Sequence, residues 1–578
     1  MKKLVAAILL LASTAMVYAV PAKRGWQTRT QADGTTIEVQ VVGDEYYHFT
    51  INRDGQQIRL NKDGMYEIVG AAPSPQQIRA RHDQNKARRM RKGVGTEPNL
   101  APRGIVVLVN YQDTKMKANH TREIFDELCN STNCTVNKYN GVKYGSAAQY
   151  FADQSNGAYR PIFDVYGPIE LPYDYAHYGR DLAGYDQGTD TLAADMMVEA
   201  CLIADTMYNI DFSQYDSDND QLVDFVYVIY AGQGQASGGD ENTVWPHNWD
   251  VYSASYYGMC SYSIYDTEMD GVYLNNYACS NEVTGGALTG IGTLCHEFGH
   301  VMGLPDLYDT SYGNIYQSWL TPDTWDIMDG GAYNGDGHCP PNYDPWQKQF
   351  FGWVEPQNFG STPQYFTLYA NGSEDYNVVQ VNELGQQQAA TESGQCYYLE
   401  NRQKSGWDKF VPAAGMLIWT VNYNEEAWVG NAPNHSDTPD APLFTIVPSN
   451  ETRIGRYFGQ QNVFPCGSIT SWTEYDDKPV LDITKSGNLI TAIYIEARPC
   501  TVNWYVNGAL LESHEQECGE PLMWPTGEIT ACEGTELIGW TTKADWCDPF
   551  IEPTDLLTAE DGGNVPYAGS VSYYAVFK

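Results

Sequence analysis

Short alternating runs open the chain. Between residues 20 and 70, apolar and polar positions alternate in brief stretches broken by Asp33-Gly34, Gly43-Asp44, Asp54-Gly55 and Asp63-Gly64. That pattern predicts strands joined by tight turns. Ile105 to Val109 is a continuous apolar run that predicts a buried strand, and Phe225 to Tyr230 predicts another. Thr191 to Met207 carries helical periodicity, so residues 103–354 read as α/β. From about 360 to 499 alternation returns, as in Tyr376 to Val381 and Gly415 to Val421, and predicts a β-sandwich-like domain. The last 79 residues read as a separate β-rich module.

The predicted division is therefore multidomain. Residues 1–19 are a signal peptide, 20–98 a β-rich propeptide ending in a basic linker, and 99–358 an α/β domain. Residues 359–499 are β-sandwich-like, and 500–578 a small β-rich module. The leader rests on Lys2 and Lys3, the apolar run Leu4–Ala12, and small residues up to Ala19, after which cleavage is expected. The first cysteine is Cys129, so no lipid-bearing Cys stands at that cleavage point. No later segment is long and apolar enough to span a bilayer, so a secreted or cell-surface monomer without a membrane span is expected. The linker from Arg79 to Lys92 contains Arg88-Arg89 and Arg91-Lys92 and suits proteolytic processing.

Composition narrows the partners. The 578 residues are 42% hydrophobic and include 43 Tyr and 15 Trp, enough to build cores and to rule out wholesale disorder. The net charge of −39 would be repelled by nucleic acid and anionic lipid. Charge is uneven. Residues 1–100 hold 15 Lys and Arg against 9 Asp and Glu, whereas Asp181 to Gln347 holds 26 acidic residues and neither Lys nor Arg. Bound cations are one source of counter-charge for such a stretch. The 13 cysteines fit an exported chain, with Cys129 and Cys134 spaced as a local staple and Cys500, Cys518, Cys532 and Cys547 crowded near the C-terminus.

Candidate chemistry concentrates in Ile291 to Asp306. Ile291, Leu294, Phe298, Val301 and Met302 recur at helical spacing. His296 and His300 stand one turn apart on one side of that helix and can grip one metal ion. Glu297 lies beside them, where a carboxylate can take a proton from an attacking water activated by zinc. Gly303 suits the sharp bend that ends the helix and returns Asp306 towards the same ion, with Asp309 as the alternative third ligand. No Glu occurs between Glu297 and Glu355, so a glutamate from a following helix is ruled out as that ligand. Trp325 to Gly331 offers Met328 in a tight turn, and Tyr333 follows five residues later as a candidate oxyanion donor.

Asp216, Asp218, Asp220 and Asp224 have the spacing of a calcium loop, although Gln221 and Tyr227 depart from the EF-hand pattern. An Asx-rich surface turn is the other reading. The propeptide has no cysteine, which excludes a thiol latency switch, and Asp44 and Glu45 are the candidate carboxylates for that role. His247 and His338 read as structural.

His296 to Asp309, Trp325 to Gly331 and Trp346 to Trp353 resemble the immune inhibitor A-type family of secreted bacterial metalloproteases, within the metzincins. Gly145 to Phe151, Trp245 to His247 and Tyr398 to Arg402 are similar to further signatures of that family. The resemblance runs from about residue 30 to 499. It implies a metzincin-like catalytic domain and a zinc endopeptidase made as a zymogen. It further implies His296, His300 and Asp306 as zinc ligands, Glu297 as general base and acid, Met328 as the Met-turn, structural calcium, and protein or peptide substrates. Val502 to Gly508, Gly539-Trp540 and Tyr573 to Phe577 resemble a Listeria–Bacteroides β-grasp repeat, which implies a surface-attachment or spacer role. An inert, surface- or glycan-binding protein on a metalloprotease fold is the competing expectation.

Overall fold

The computed structural model describes residues 21–578 apart from 24, 45–46, 62, 75, 79, 81–97, 99, 182–189, 312–320, 361–363, 476–477, 496–498, 518–519, 531–533, 545–554, 560–561, 564 and 566–569. The leader, its cleavage point, Glu45, nearly all of the basic linker, and Cys518, Cys532 and Cys547 therefore lie outside the described residues. The chain divides into two compact units. One comprises Met1–Gln357, Tyr369–Gln380 and Gln387–Val463; the other comprises Asn358–Leu368, Val381–Gln386 and Phe464–Lys578.

The first unit begins with an antiparallel meander of β1 (Gln27–Thr30), β2 (Thr36–Gly43), β3 (His48–Asn52), β4 (Gln56–Leu60) and β5 (Tyr66–Ala71). Its turns fall where Asp-Gly pairs predict them, with Gly34, Gly55 and Gly64 at positive φ. Val42, Tyr47, Phe49 and Ile51 pack with Tyr308, while Ala22 and Val41 pack with Ala236 and Trp245.

The central sheet is mixed. β6 (Arg103–Asn110) lies between β7 (Ile162–Glu170) and β8 (Val226–Gln233), both parallel to it. β8 pairs parallel with β10 (Asn276–Thr284), whose far side carries the antiparallel strand β9 (His247–Asp250). Short β11 (Ala287–Leu288) pairs with the end of β10. Side chains of β6 alternate between two cores, as a sheet covered on both faces requires. Val106 and Leu108 join residues of α1 (Arg122–Asn130), α2 (Ala147–Gln154) and α4 (Gly292–Val301). Ile105, Val107 and Val109 join α3 (Ala193–Tyr208) on the opposite face.

The sequence places a boundary near 358, but the compact unit does not stop there. The antiparallel strands Gly394–Arg402, Gly415–Tyr423 and Phe444–Ile446 bury Tyr398, Leu417, Trp419 and Phe444 in the same core as Phe298, Trp325 and Met328. Gly415 to Trp419 is buried at every position, so alternation there does not mark one dry and one wet face. The expected Cys129–Cys134 staple is also corrected, since both are free buried thiols. Their loop is held instead by Glu127, which accepts hydrogen bonds from Thr135.

In the second unit, Gln364–Leu368, Leu489–Tyr494 and Val480–Ser486 form one sheet. A second sheet places Pro499–Val506 parallel to Ser570–Phe577, with Ala509–Glu517 and Leu537–Thr541 on its edges. Trp504, Trp540 and Tyr573 centre its small core. Among the described residues no helix is long and apolar enough to cross a membrane.

Candidate active site

The motif helix α4 is buried along nearly its whole length, with Phe298 edge-on to Phe151, Phe163 and Phe225. That packing fixes the helix and so the direction of its polar residues. His296 Nδ1 donates to the Ile327 carbonyl at 2.7 Å, and His300 Nδ1 donates to the Leu304 carbonyl at 2.8 Å. A carbonyl can only accept, so both rings carry a proton on Nδ1 and turn Nε2 inward. Those two Nε2 atoms lie 3.0 Å apart. Two lone pairs facing each other at that distance repel unless a cation stands between them.

Asp306 completes the group. Gly303, at φ +105°, turns the chain after the helix, and the Gly303 and Leu304 amides close back on His300 O and Gly299 O. Asp306 Oδ1 then lies 3.4 Å from both Nε2 atoms. A tetrahedral zinc with bonds of about 2.0–2.2 Å holds its donor atoms about 3.3 Å apart, so two imidazoles and one carboxylate at these separations fit that ion. Burial lowers the His300 imidazole to about 4, against the pull of Asp306. Burial raises Asp306, but the imidazoles outweigh it and bring the carboxyl down to about 2. At neutral pH His300 is therefore a neutral imidazole and Asp306 an ionised carboxylate, the forms a metal takes.

The other expected residues are placed as follows. Glu297 is fully buried, and its carboxylate can reach a common ion with His296 and His300. Asp309 is not brought to the histidines; its Oδ1 accepts from the backbone and hydroxyl of Ser311. Met328 lies under the helix, where a Cβ on Gly299 would come within 2.8 Å of its Sδ. Tyr333 is largely buried, and burial followed by the nearby Glu297 carboxylate pushes its phenol up, so it stays a neutral donor. His247 bonds Trp245 O and the Tyr277 hydroxyl, and His338 bonds Asn137, both as structural residues would. Asp44 is buried and takes the Tyr47 amide across its own turn.

Asp216, Asp218 and Asp220 gather their carboxylates at the surface. Asp224 instead accepts from the Ser217 amide. The same loop is threaded by Asx turns, with the Asp220 amide donating to Asp216 and Asp218. Burial, then the neighbouring aspartates, raise Asp220 to about 6.

Further contributors come from outside the motif helix. Asn431, which follows the short helix Glu425–Val429, accepts the Asp306 amide and donates to its carboxylate. Arg402 is buried between Glu400 and Asp408 and reaches the Trp325 carbonyl at 3.4 Å, so the Tyr398–Arg402 stretch braces the turn that holds Met328. The segment before β1 also enters this region. Tyr333 Oη donates to the Pro21 carbonyl at 2.7 Å, the Lys23 amide donates to Ala236 O at 3.2 Å, and Lys23 Nζ meets Asp336 at 2.7 Å.

Residues 106–357 match the family described as immune inhibitor A peptidase M6, catalytic domain. The chain is similar to immune inhibitor A of Bacillus thuringiensis subsp. alesti, 30% identical over 36% of this chain and 32% of that protein. It is similar to the pre-pro-metalloprotease PrtV of Vibrio cholerae serotype O1, 24% identical over 36% of this chain and 24% of that protein. A putative secreted metallopeptidase of Arthroderma benhamiae is 22% identical over 33% of this chain and 29% of its own length. The chain thus spans about a third or less of the curated relatives it matches. The similarity to immune inhibitor A-type peptidases is thus confined to the part of the chain around residues 106–357.

Proposed function

We propose that this chain, with an immune inhibitor A-type peptidase domain at its centre, is a secreted zinc endopeptidase made as a zymogen. The single observation that carries the reading is the convergence of two imidazole nitrogens and Asp306 Oδ1 at zinc-like separations, with Glu297 in reach. His296, His300 and Asp306 would hold the zinc, which when bound polarises the scissile carbonyl and acidifies water. Glu297 takes the proton of the attacking water as the new C–O bond forms. It then delivers that proton to the amide nitrogen as the C–N bond breaks, leaving a carboxylate and an amine. The Tyr333 hydroxyl donates to the carbonyl oxygen as negative charge grows on it. Ile327 O and Leu304 O hold the two rings in the required tautomer.

Latency is supported by the contacts of Pro21 and Lys23. Tyr333 spends its donor on a carbonyl of the propeptide, and an approaching substrate would have to displace that segment. The basic linker supplies arginines for the activating cut. Secretion is supported by the leader-like first 19 residues, calcium by the Asp216, Asp218 and Asp220 cluster, and a spacer or attachment role of residues 500–578 by their β-grasp resemblance.

The test is Glu297→Gln in the activated protein. It should retain zinc by elemental analysis and lose its casein zymography band, while the parent band disappears with o-phenanthroline. A parent with no chelator-sensitive band would favour the inert surface-binding alternative.

A further inference from the structure

Residues 330–338 form a turn pressed on the start of α4. The Gly292 amide donates to Gly337 O at 2.8 Å, and a Cβ on Gly292 would stand 1.9 Å from Ala332 O. Asn334 Nδ2 donates to Thr324 O at 2.9 Å, and the Gly337 amide returns to Tyr333 O at 3.2 Å. The turn therefore presents Tyr333 and Asp336, three residues apart, from a fixed support. Asp336 sits at φ +53°, a conformation that Asp and Asn tolerate.

Propeptide residues 21–23 are gripped at three points: the Pro21 carbonyl by Tyr333, the Lys23 amide by Ala236 O, and the Lys23 ammonium by Asp336. They line a cavity of ≈ 270 Å³ whose other walls include Tyr139, Phe410 and Arg456. The Asp336 side chain is 49% exposed even with Lys23 against it, so removal of the propeptide leaves it open to an incoming chain.

We propose that Asp336 is a specificity-determining residue that selects a Lys or Arg side chain at the second residue beyond the scissile bond. The assignment rests on the peptidase reading above, in which Tyr333 polarises the scissile carbonyl. Pro21 then stands for the residue before the bond, Ala22 for the first beyond it, and Lys23 for the second. The carboxylate of Asp336 supplies the charge, and Tyr139 and Phe410 supply apolar walls for the aliphatic stem of a long basic side chain. The propeptide thus carries, at Lys23, the side chain that the site is built to accept.

The experiment uses enzyme activated from the full chain by a cut in its basic linker. Two peptides of one frame, carrying Lys or norleucine at the second position after the cleaved bond, are compared by kcat/KM, with cleavage positions read by mass spectrometry. A half-exposed ion pair predicts a Lys preference of about 1.4- to fivefold. Asp336→Asn, which keeps shape and backbone, should bring the ratio to about one. In the parent, raising salt from about 0.05 M to about 0.5 M should also shrink it, because the Debye length shortens. An Asp336→Asn ratio equal to the parent's, or a parent ratio of one, overturns the proposal while leaving the peptidase reading intact. A parent that cleaves neither peptide nor any protein substrate overturns both.

Discussion

Asn431 closes a two-way hydrogen bond on Asp306, its Oδ1 accepting the aspartate amide at 2.7 Å and its Nδ2 donating to Oδ2 at 2.7 Å. One carboxylate oxygen is thereby occupied, and the other is left facing the imidazoles. Partners that aim a metal ligand in this way are worth roughly 10–100-fold in metal affinity, and Asn431→Ala should lose about that much zinc affinity in competition with a chelator. Unchanged affinity would show that Asp306 is aimed by the backbone alone.

Glu297→Gln removes the proton carrier and keeps the volume. Turnover should fall by about 10²–10⁴-fold while zinc content stays at the parent level. Loss of zinc together with activity would instead mark Glu297 as part of the metal set.

Tyr333→Phe deletes one hydroxyl. If that hydroxyl meets the developing charge, kcat should fall by about 10²–10³-fold with little change in KM. A change confined to KM would reduce Tyr333 to a wall of the cleft.

The aspartate cluster has a pH signature. With Asp220 raised to about 6, the native state binds a proton there that the unfolded chain releases near 3.8. The metal-free protein therefore gains stability from this group at low pH and loses it as pH rises through about 6. A divalent cation relieves the crowded carboxylates once they ionise. Added calcium should raise the melting temperature at pH 7.5 and have little effect at pH 5. Equal effects at both values, or none, would return the cluster to an ordinary Asx turn.

Gly299→Ala would place a methyl carbon 2.8 Å from Met328 Sδ. Overpacking of this kind costs about 1–3 kcal/mol, which thermal denaturation should register as a clear drop. A parent-like melting temperature would mean that the thioether swings aside, and that its place under the helix is not tightly set.

What the sequence reveals of this site is what lies close along the chain. The helix 292–301, its bend at Gly303 and the return of Asp306 are short-range consequences of residue spacing, and the geometry gathers them as expected. The aspartate loop is only partly legible, because spacing alone does not disclose that Asp224 is engaged by the Ser217 amide. Asn431 leaves no trace at all, being 125 residues from its partner with no periodicity linking them. The strand Gly415–Tyr423 misleads for a related reason, since both its faces are covered by residues that one sequence cannot assign to it.

The fixing of Asp306 by Asn431 also bears on where the chain can be shortened. The stretch recognisable by family ends at residue 357, and a fragment trimmed there would contain every motif residue yet lack the amide that aims the aspartate. Such a fragment would look catalytically complete on paper and chelate metal poorly in the tube. The compact unit that holds both residues runs on to Val463.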